Sequence, residues 1–341
     1  NEYGRMPQRA IKPIWQIKSI DSAALGGKAI RKELVISFPA PVANPAPVAN
    51  PAPVANPAIT MNVVIWLPRH SLKPVPVFLG YNFGGNFTVN ESPQWPLEEI
   101  IGRGFGVATA WYGDIEPDRP DGWQTGIRTT LSAALQIEPN EWSAIGAWAW
   151  GLDRMADYLV SDKSVDAKKL ILIGHSRLGK TAVWAGAGDT RFAIVISNES
   201  GEGGAALSKR DYGETIGIIN YKFPYWFSPM YKRYGNNTDA LPLDQHMLLS
   251  LIAPRPLYVA SAEGDQWSDP KGEFLSARRA DAAYRLYREK GIGSDSMPAL
   301  SHPIGDFIRY HIRPGKHDIT LYDWQQYMDF ADLHFKSRSH P

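Results

Sequence analysis

The 341-residue chain is 44% hydrophobic and 21% charged, which is enough apolar material for a sizeable core and excludes wholesale disorder. With 36 Lys and Arg against 35 Asp and Glu the net charge is +1, so no basic excess draws the chain to nucleic acid or anionic lipid. Cysteine is absent, which removes disulfide frameworks, thiolate nucleophiles and cysteine zinc sites together.

No apolar run approaches the ~18 residues of a membrane span. The first residue is Asn1 rather than Met, which suits a processed form whose targeting peptide has been removed and leaves export open. Typical domains of about 150 residues would allow two units here. The order of elements favours one α/β domain over 1–341.

In chain order, Leu34–Phe38 and Ile59–Leu67 read as strands flanking a segment of different character. From Pro39 to Ala58 a six-residue repeat, PAPVAN, carries seven prolines. Proline lacks the backbone donor and fixes φ, so this stretch is expected to be an extended loop inserted in the domain. Val75–Tyr81 and Gly106–Trp111 are short apolar runs bounded by Gly or Pro, as buried strands require. Ile115–Glu141 shows no clear period and reads as an excursion near a site rim. Ile145, Trp148, Leu152, Met155 and Leu159 then recur at helical spacing.

Lys169–Ile173 is a further strand, Lys180–Ala187 a helix, and Phe192–Ser197 and Pro256–Ala260 strands again. Helices are expected over about Gly272–Lys290 and Tyr322–Lys336. Strands alternating with helices imply a mostly parallel sheet covered on both faces, with ligands at the carboxyl ends of the strands.

The loop after Lys169–Ile173 has two readings. Gly174–Thr181 (GHSRLGKT) matches the phosphate-cradling pattern G-x-x-x-x-G-K-[ST], and a strand precedes it and a helix follows. Against a nucleotide hydrolase, the next strand runs into Asn198 and Glu199 rather than an aspartate, and several strands already precede the loop. In the second reading Ser176 tops a strand-to-helix turn as a nucleophile, although the usual G-x-S-x-G has its glycine one residue late, at Gly179.

A nucleophilic serine needs a base and an orienting acid. Glu199 and Asp265 stand at the ends of the next two strands, and His317 follows in the loop before the last helix. Serine, acid, histidine is the chain order of the α/β-hydrolases. His302 and His311 are rivals for the base, but His302 precedes a proline and His311 lies within a strand. His175, beside the serine, is expected to pack.

These residues resemble the glucuronoyl esterases, carbohydrate esterase family 15. GHSRLGK (Gly174–Lys180) reproduces the family's serine followed by arginine and then Gly-Lys. NESGEGGAA (Asn198–Ala206), HMLLSLIAPRPLYVASAEGDQW (His246–Trp267) and NFGGN (Asn82–Asn86) resemble its glutamate, late-strand and early glycine segments. The Pro39–Ala58 repeat is not part of that pattern.

The resemblance implies an α/β-hydrolase three-layer sandwich that cleaves esters between (4-O-methyl)glucuronic acid of glucuronoxylan and lignin alcohols, without cofactor or metal. Ser176 would be the nucleophile, His317 the base, and Arg177 a donor to the oxyanion. Lys180 and Glu214 match positions that bind hydroxyls of the uronic acid, and Trp267 one that lines the sugar. The family places its acid after either strand. The later position is the commoner across the fold and favours Asp265 over Glu199. The partner expected is a xylan or lignin–carbohydrate ester, with no nucleic acid and no membrane. The chain is expected to be a secreted or periplasmic monomer. A general carboxylesterase or acetyl-xylan esterase with the same triad is the alternative, and the nucleotide hydrolase a distant one.

Overall fold

The structure, a computed structural model, describes residues 2–7, 11–38 and 59–337; the proline-rich 39–58 repeat lies outside them. Ten strands form one sheet in the order β1-β2-β3-β5-β4-β6-β7-β8-β10-β9. They are β1 (Ile14–Ala23), β2 (Ala29–Phe38), β3 (Ile59–Pro68), β4 (Val75–Asn82), β5 (Gly106–Trp111), β6 (Val165–His175), β7 (Phe192–Asn198), β8 (Leu257–Ala262), β9 (Ile304–Gly305) and β10 (Ile308–Arg313). From β5 across to β10 every pairing is parallel. The margins β1-β2-β3-β5 and β9-β10 are antiparallel.

Side chains alternate across a strand, and the burial follows that period of two. Val63, Ile65, Leu170, Leu172, Val195, Leu257 and Val259 enter one core. Val64, Trp66, Ile171, Ile173, Ile194, Ile196, Tyr258 and Ala260 enter the other. The first face is covered by the helices Ala144–Leu159, Arg177–Gly188 and Pro270–Leu286. The second is covered by Leu97–Gly102 and by Leu321–Ser337, whose Trp324, Tyr327, Met328, Phe330 and Ala331 are buried. This is the three-layer arrangement expected from the alternating elements.

Local chemistry explains most boundaries. Ser143 caps the Ala144–Leu159 helix by accepting from Gly146 N, and the five residues at helical spacing are all buried. The Arg177–Gly188 helix starts three residues earlier than expected because Ser176 itself is its N-cap. Pro270 opens the Pro270–Leu286 helix, where its missing N–H costs nothing. That helix stops short of Lys290, since Tyr287 leaves helical geometry.

The sequence reading missed β1, a margin strand exposed along its whole length, so no alternation of burial marks it. The Ile115–Glu141 excursion is a set of short turns on β5's carboxyl side. It is tied down by a buried ion pair of Arg128 with Glu116 at 2.7 Å.

Candidate active site

Ser176 stands between the carboxyl end of β6 and the first turn of Arg177–Gly188, with φ 57° and ψ −131°. A non-glycine residue there carries strain of order 1–3 kcal/mol, which the surroundings must hold. They do so by close approach: a methyl on Gly174 would run into the Leu178 carbonyl oxygen, and one on Gly179 would sit 2.9 Å from Ser200 Cβ. Ser176 N donates to Asn198 O at 2.9 Å, pinning the turn to β7. The sharp turn that lifts the hydroxyl clear of the chain is therefore built with Gly179 at its displaced position.

His317 arrives from the loop after β10, and its ring lies 4.5 Å from that of His175, the residue before Ser176. Two carboxylates meet its Nδ1. Asp265 Oδ2 is at 2.6 Å and Glu199 Oε2 at 3.2 Å. Their electrostatic states differ. Burial raises the Asp265 carboxyl, but hydrogen bonds from His317 and Ser268 outweigh it and hold the group below its usual range. Burial pushes Glu199 up to about 7 against the pull of His317 and Arg313. Burial alone would lower His317, yet the bonds to Asp265 and Glu199 win and raise it to about 9.

Glu199 is further engaged, taking Arg313 Nη2 at 2.6 Å and Asp318 N at 3.1 Å. The three groups offer ligand atoms within 4.8 Å of one another, a spacing a cation could use, although Arg313 already answers the Glu199 charge.

The rival histidines are occupied elsewhere. His311 is fully buried between Tyr258 and Asp323, and exposed His302 bonds Leu300 O two residues away. His175 bonds Asn198 and is held neutral, its pKa lowered to about 4 by burial and by His317.

Arg177 is partly buried rather than extended into solvent. Its Nη1 donates to Asp118 Oδ2 at 2.7 Å and Tyr112 OH at 3.3 Å. Its guanidinium lies 4.9 Å from the Trp226 ring and 5.6 Å from Phe83. Asp118 also accepts from Tyr112 OH, Tyr225 OH and Trp226 Nε1 at 2.7–2.9 Å. The Arg177 Nε is buried with no protein acceptor among the described residues.

Sequence reasoning missed Asp118, Arg313 and Glu273. Asp118 sits in the excursion without a period, and nothing local ties it to Arg177. Arg313, a charge at the carboxyl end of a parallel strand, could have been singled out on that ground. Glu273, fully buried in a helix, takes Ser200 N, Gly201 N and Ser261 Oγ and so holds the loop after Glu199.

Lys180 is 3% exposed, and its ammonium donates to Ser200 O, Glu202 O and Glu214 Oε2 at 2.6–2.7 Å. An ammonium has three protons, so all are spent inside the protein. This disposes of the phosphate-loop reading, because the lysine turns into the fold instead of towards a phosphate. It also leaves Lys180 no proton for a sugar hydroxyl. Glu214 Oε1 accepts from Trp267 Nε1 at 3.0 Å, and the Trp267 ring is 41% exposed beneath Lys222. Glu214 and Trp267 thus meet, with Trp267 two residues beyond Asp265 in the chain.

The family model described as glucuronyl esterase of fungi matches residues 52–288, a span that ends before His317. "Carbohydrate esterase MZ0003", from an unknown prokaryotic organism, is 41% identical over 97% of this chain and 81% of its own length. A 4-O-methyl-glucuronoyl methylesterase of Podospora anserina is 38% identical over 36% of this chain and 28% of its own length. The solved glucuronoyl esterase of Solibacter usitatus superposes with a TM-score of 0.87 at 46% identity, covering 98% of this chain and 89% of that one. With the fold, the serine elbow and the matched span in agreement, the chain belongs to the glucuronoyl esterase family of α/β-hydrolase-fold enzymes, and is a carboxylic ester hydrolase.

Proposed function

We propose that the chain hydrolyses esters of (4-O-methyl)glucuronic acid carried on glucuronoxylan, through an acyl-enzyme on Ser176. The observation that carries this is Ser176 on its strained elbow, with the His317 ring packed on His175, the residue before it, and the His317 Nδ1 held by Asp265 at 2.6 Å. Ser176 Oγ attacks the ester carbon while His317 takes the hydroxyl proton. The oxyanion is met by the backbone N–H of Arg177 and by its guanidinium. Collapse expels the alcohol, which receives the proton from His317. Water, deprotonated in turn by His317, then releases glucuronic acid and restores Ser176.

Asp265 is read as the main acid, since it is nearer and ionised, with Glu199 as second partner. Asp118 holds the Arg177 guanidinium. Glu214 and Trp267 line the uronic acid ring, and Lys180 acts through Glu214 rather than on the sugar.

The test is hydrolysis of benzyl glucuronate by wild type and by Ser176→Ala, with an acetyl ester and ATP as parallel substrates. Serine-dependent cleavage of the glucuronate is expected. Cleavage of the acetyl ester alone would favour the general or acetyl-xylan esterase. In the same assay Asp118→Asn is expected to lower kcat by roughly a hundredfold with KM little changed, as for a lost oxyanion donor. An unchanged kcat would remove Asp118 from this scheme.

One sheet runs from Ile14 to Arg313, which supports a single domain with 39–58 inserted in it. No helix among the described residues is long and apolar enough to cross a membrane. Export of a monomer belongs to the same reading, because a xylan-borne ester is too large to enter a cell. A light-scattering mass above one chain would overturn the monomer.

A further inference from the structure

A carboxyl group sealed in the fold joins the two segments that carry the acids. Glu273 lies in the first turn of the Pro270–Leu286 helix and is fully buried. Its Oε1 accepts from Ser200 N at 2.8 Å and from Gly201 N at 3.0 Å, the two amides that follow Glu199. Its Oε2 accepts from Ser261 Oγ at 2.6 Å. Ser261 stands on β8, four residues before Asp265. One side chain thus bonds the segment after β7 with one oxygen and β8 with the other.

The backbone at Glu199 needs such a hold. Glu199 has φ 48° and Gly201 φ 59°, so the chain turns through left-handed geometry at the acid itself. A glutamate keeps that backbone only where its surroundings over-determine it. Successive amides in such a turn point inward and form a concavity suited to an anion. Here the Glu273 carboxyl fills it. Glu199 N also donates to Ala260 O, next to Ser261, at 2.8 Å. Without the Glu273 bonds the turn can relax. Glu199 Oε2 and Asp265 Oδ2 would then no longer be fixed at 3.2 and 2.6 Å from one imidazole nitrogen. Burial, joined by the charges of Asp265 and Glu199, raises the Glu273 carboxyl to about 8. An apolar side chain would avoid that burden, so the group serves geometry rather than stability.

We propose that Glu273 is a positioning residue for the acid pair, its carboxyl fixing Glu199 and Asp265 at their separate distances from His317. This rests on the reading of both acids as partners of the His317 base. The experiment compares wild type, Glu273→Met, Glu273→Gln and Ser261→Ala. The pKa of His317 is read from its ring protons by NMR, the signal being identified with His317→Gln. Methionine keeps the volume and removes both acceptors. Glutamine keeps Oε1 for the two amides and can bond Ser261 through its amide nitrogen.

Glu273→Met is expected to lower the His317 pKa by about one unit, the low end of a neighbouring carboxylate's effect. It should also lower kcat about tenfold with KM near wild type, less than a full ångström of misplacement costs. Glu273→Gln should restore both. Ser261→Ala cuts only the β8 bond and should move His317 in the same direction by less; it decides the matter if Glu273→Met does not fold. An unmoved His317 in both Glu273→Met and Ser261→Ala, with only Tm lowered, would make Glu273 a stability residue and overturn the proposal. Equal displacement in Glu273→Met and Glu273→Gln would overturn it too, because the lost charge rather than the lost bonds would be responsible. Wild type without serine-dependent ester cleavage, but with the His317 shifts as expected, would sink the esterase reading alone.

Discussion

At the scale of single residues, Asp265 and Glu199 approach the same imidazole nitrogen in opposite electrostatic states. Asp265 is held below its usual range and Glu199 is pushed up to about 7, while His317 is raised to about 9. Only the neutral imidazole can take the serine proton, so a raised His317 places the acidic limb of the rate profile above the ordinary histidine range. A negative Asp265 stabilises the imidazolium, and removing that charge lowers the pKa of His317. Asp265→Asn is therefore expected to move the acidic limb of kcat/KM to lower pH and to lower its plateau by at least tenfold. Glu199→Gln should move the limb less. A larger displacement with Glu199→Gln would reverse the assignment of the acid.

The sequence pointed to all three groups through chain order, and it favoured Asp265 over Glu199 only because the later position is the commoner one across the fold. The ranking is set by Arg313 and by depth, neither of which is local to the motif. Lys180 shows the same limit, since a lysine after Gly179 reads equally as phosphate or sugar ligand until its three acceptors are known.

At the scale of the element, the strand–elbow–helix unit from Val165 to Gly188 concentrates the site's precision. Its serine can occupy positive φ because backbone from β6, β7 and the helix start crowd against glycine positions. Gly174→Ala has no room beside the Leu178 carbonyl, so the turn must open and the hydroxyl move away from the base. A misplacement of about 1 Å can cost on the order of a hundredfold in rate. Gly174→Ala is thus expected to lose at least that much in kcat, with a lower Tm, while far-UV circular dichroism stays near wild type. Normal kcat would show that the elbow relaxes harmlessly.

Buried strands and core helices were legible because they bury continuous or periodic apolar surface. The margin strand β1 was not, because a strand exposed along its length carries no such pattern.

At the scale of the whole molecule, acids sealed beneath the site set a pH dependence of unusual sign. Glu2, Glu202 and Glu273 are all buried, and burial raises them from 4.5 to about 7, 8 and 8. Between pH 4.5 and those values the folded protein holds protons that the unfolded chain has released, so their contribution to stability falls as pH rises. Glu202→Gln keeps the bond from Tyr231 or Ser208 but cannot ionise. It is expected to flatten the decline of Tm between about pH 5 and 8; a slope as steep as in wild type would exclude Glu202 as a contributor.

The sequence by itself pointed to the layered fold and the family, and it singled out the Ser176 turn and His317 that the proposed mechanism uses, because each rests on local period, glycine placement or chain order. Only the tertiary structure decided which acid faces His317 more closely, that Asp118 grips Arg177, and that Lys180 turns inward. Those outcomes depend on where residues 20 to 118 positions apart meet and on how deeply they are buried, and no pattern along the chain encodes either.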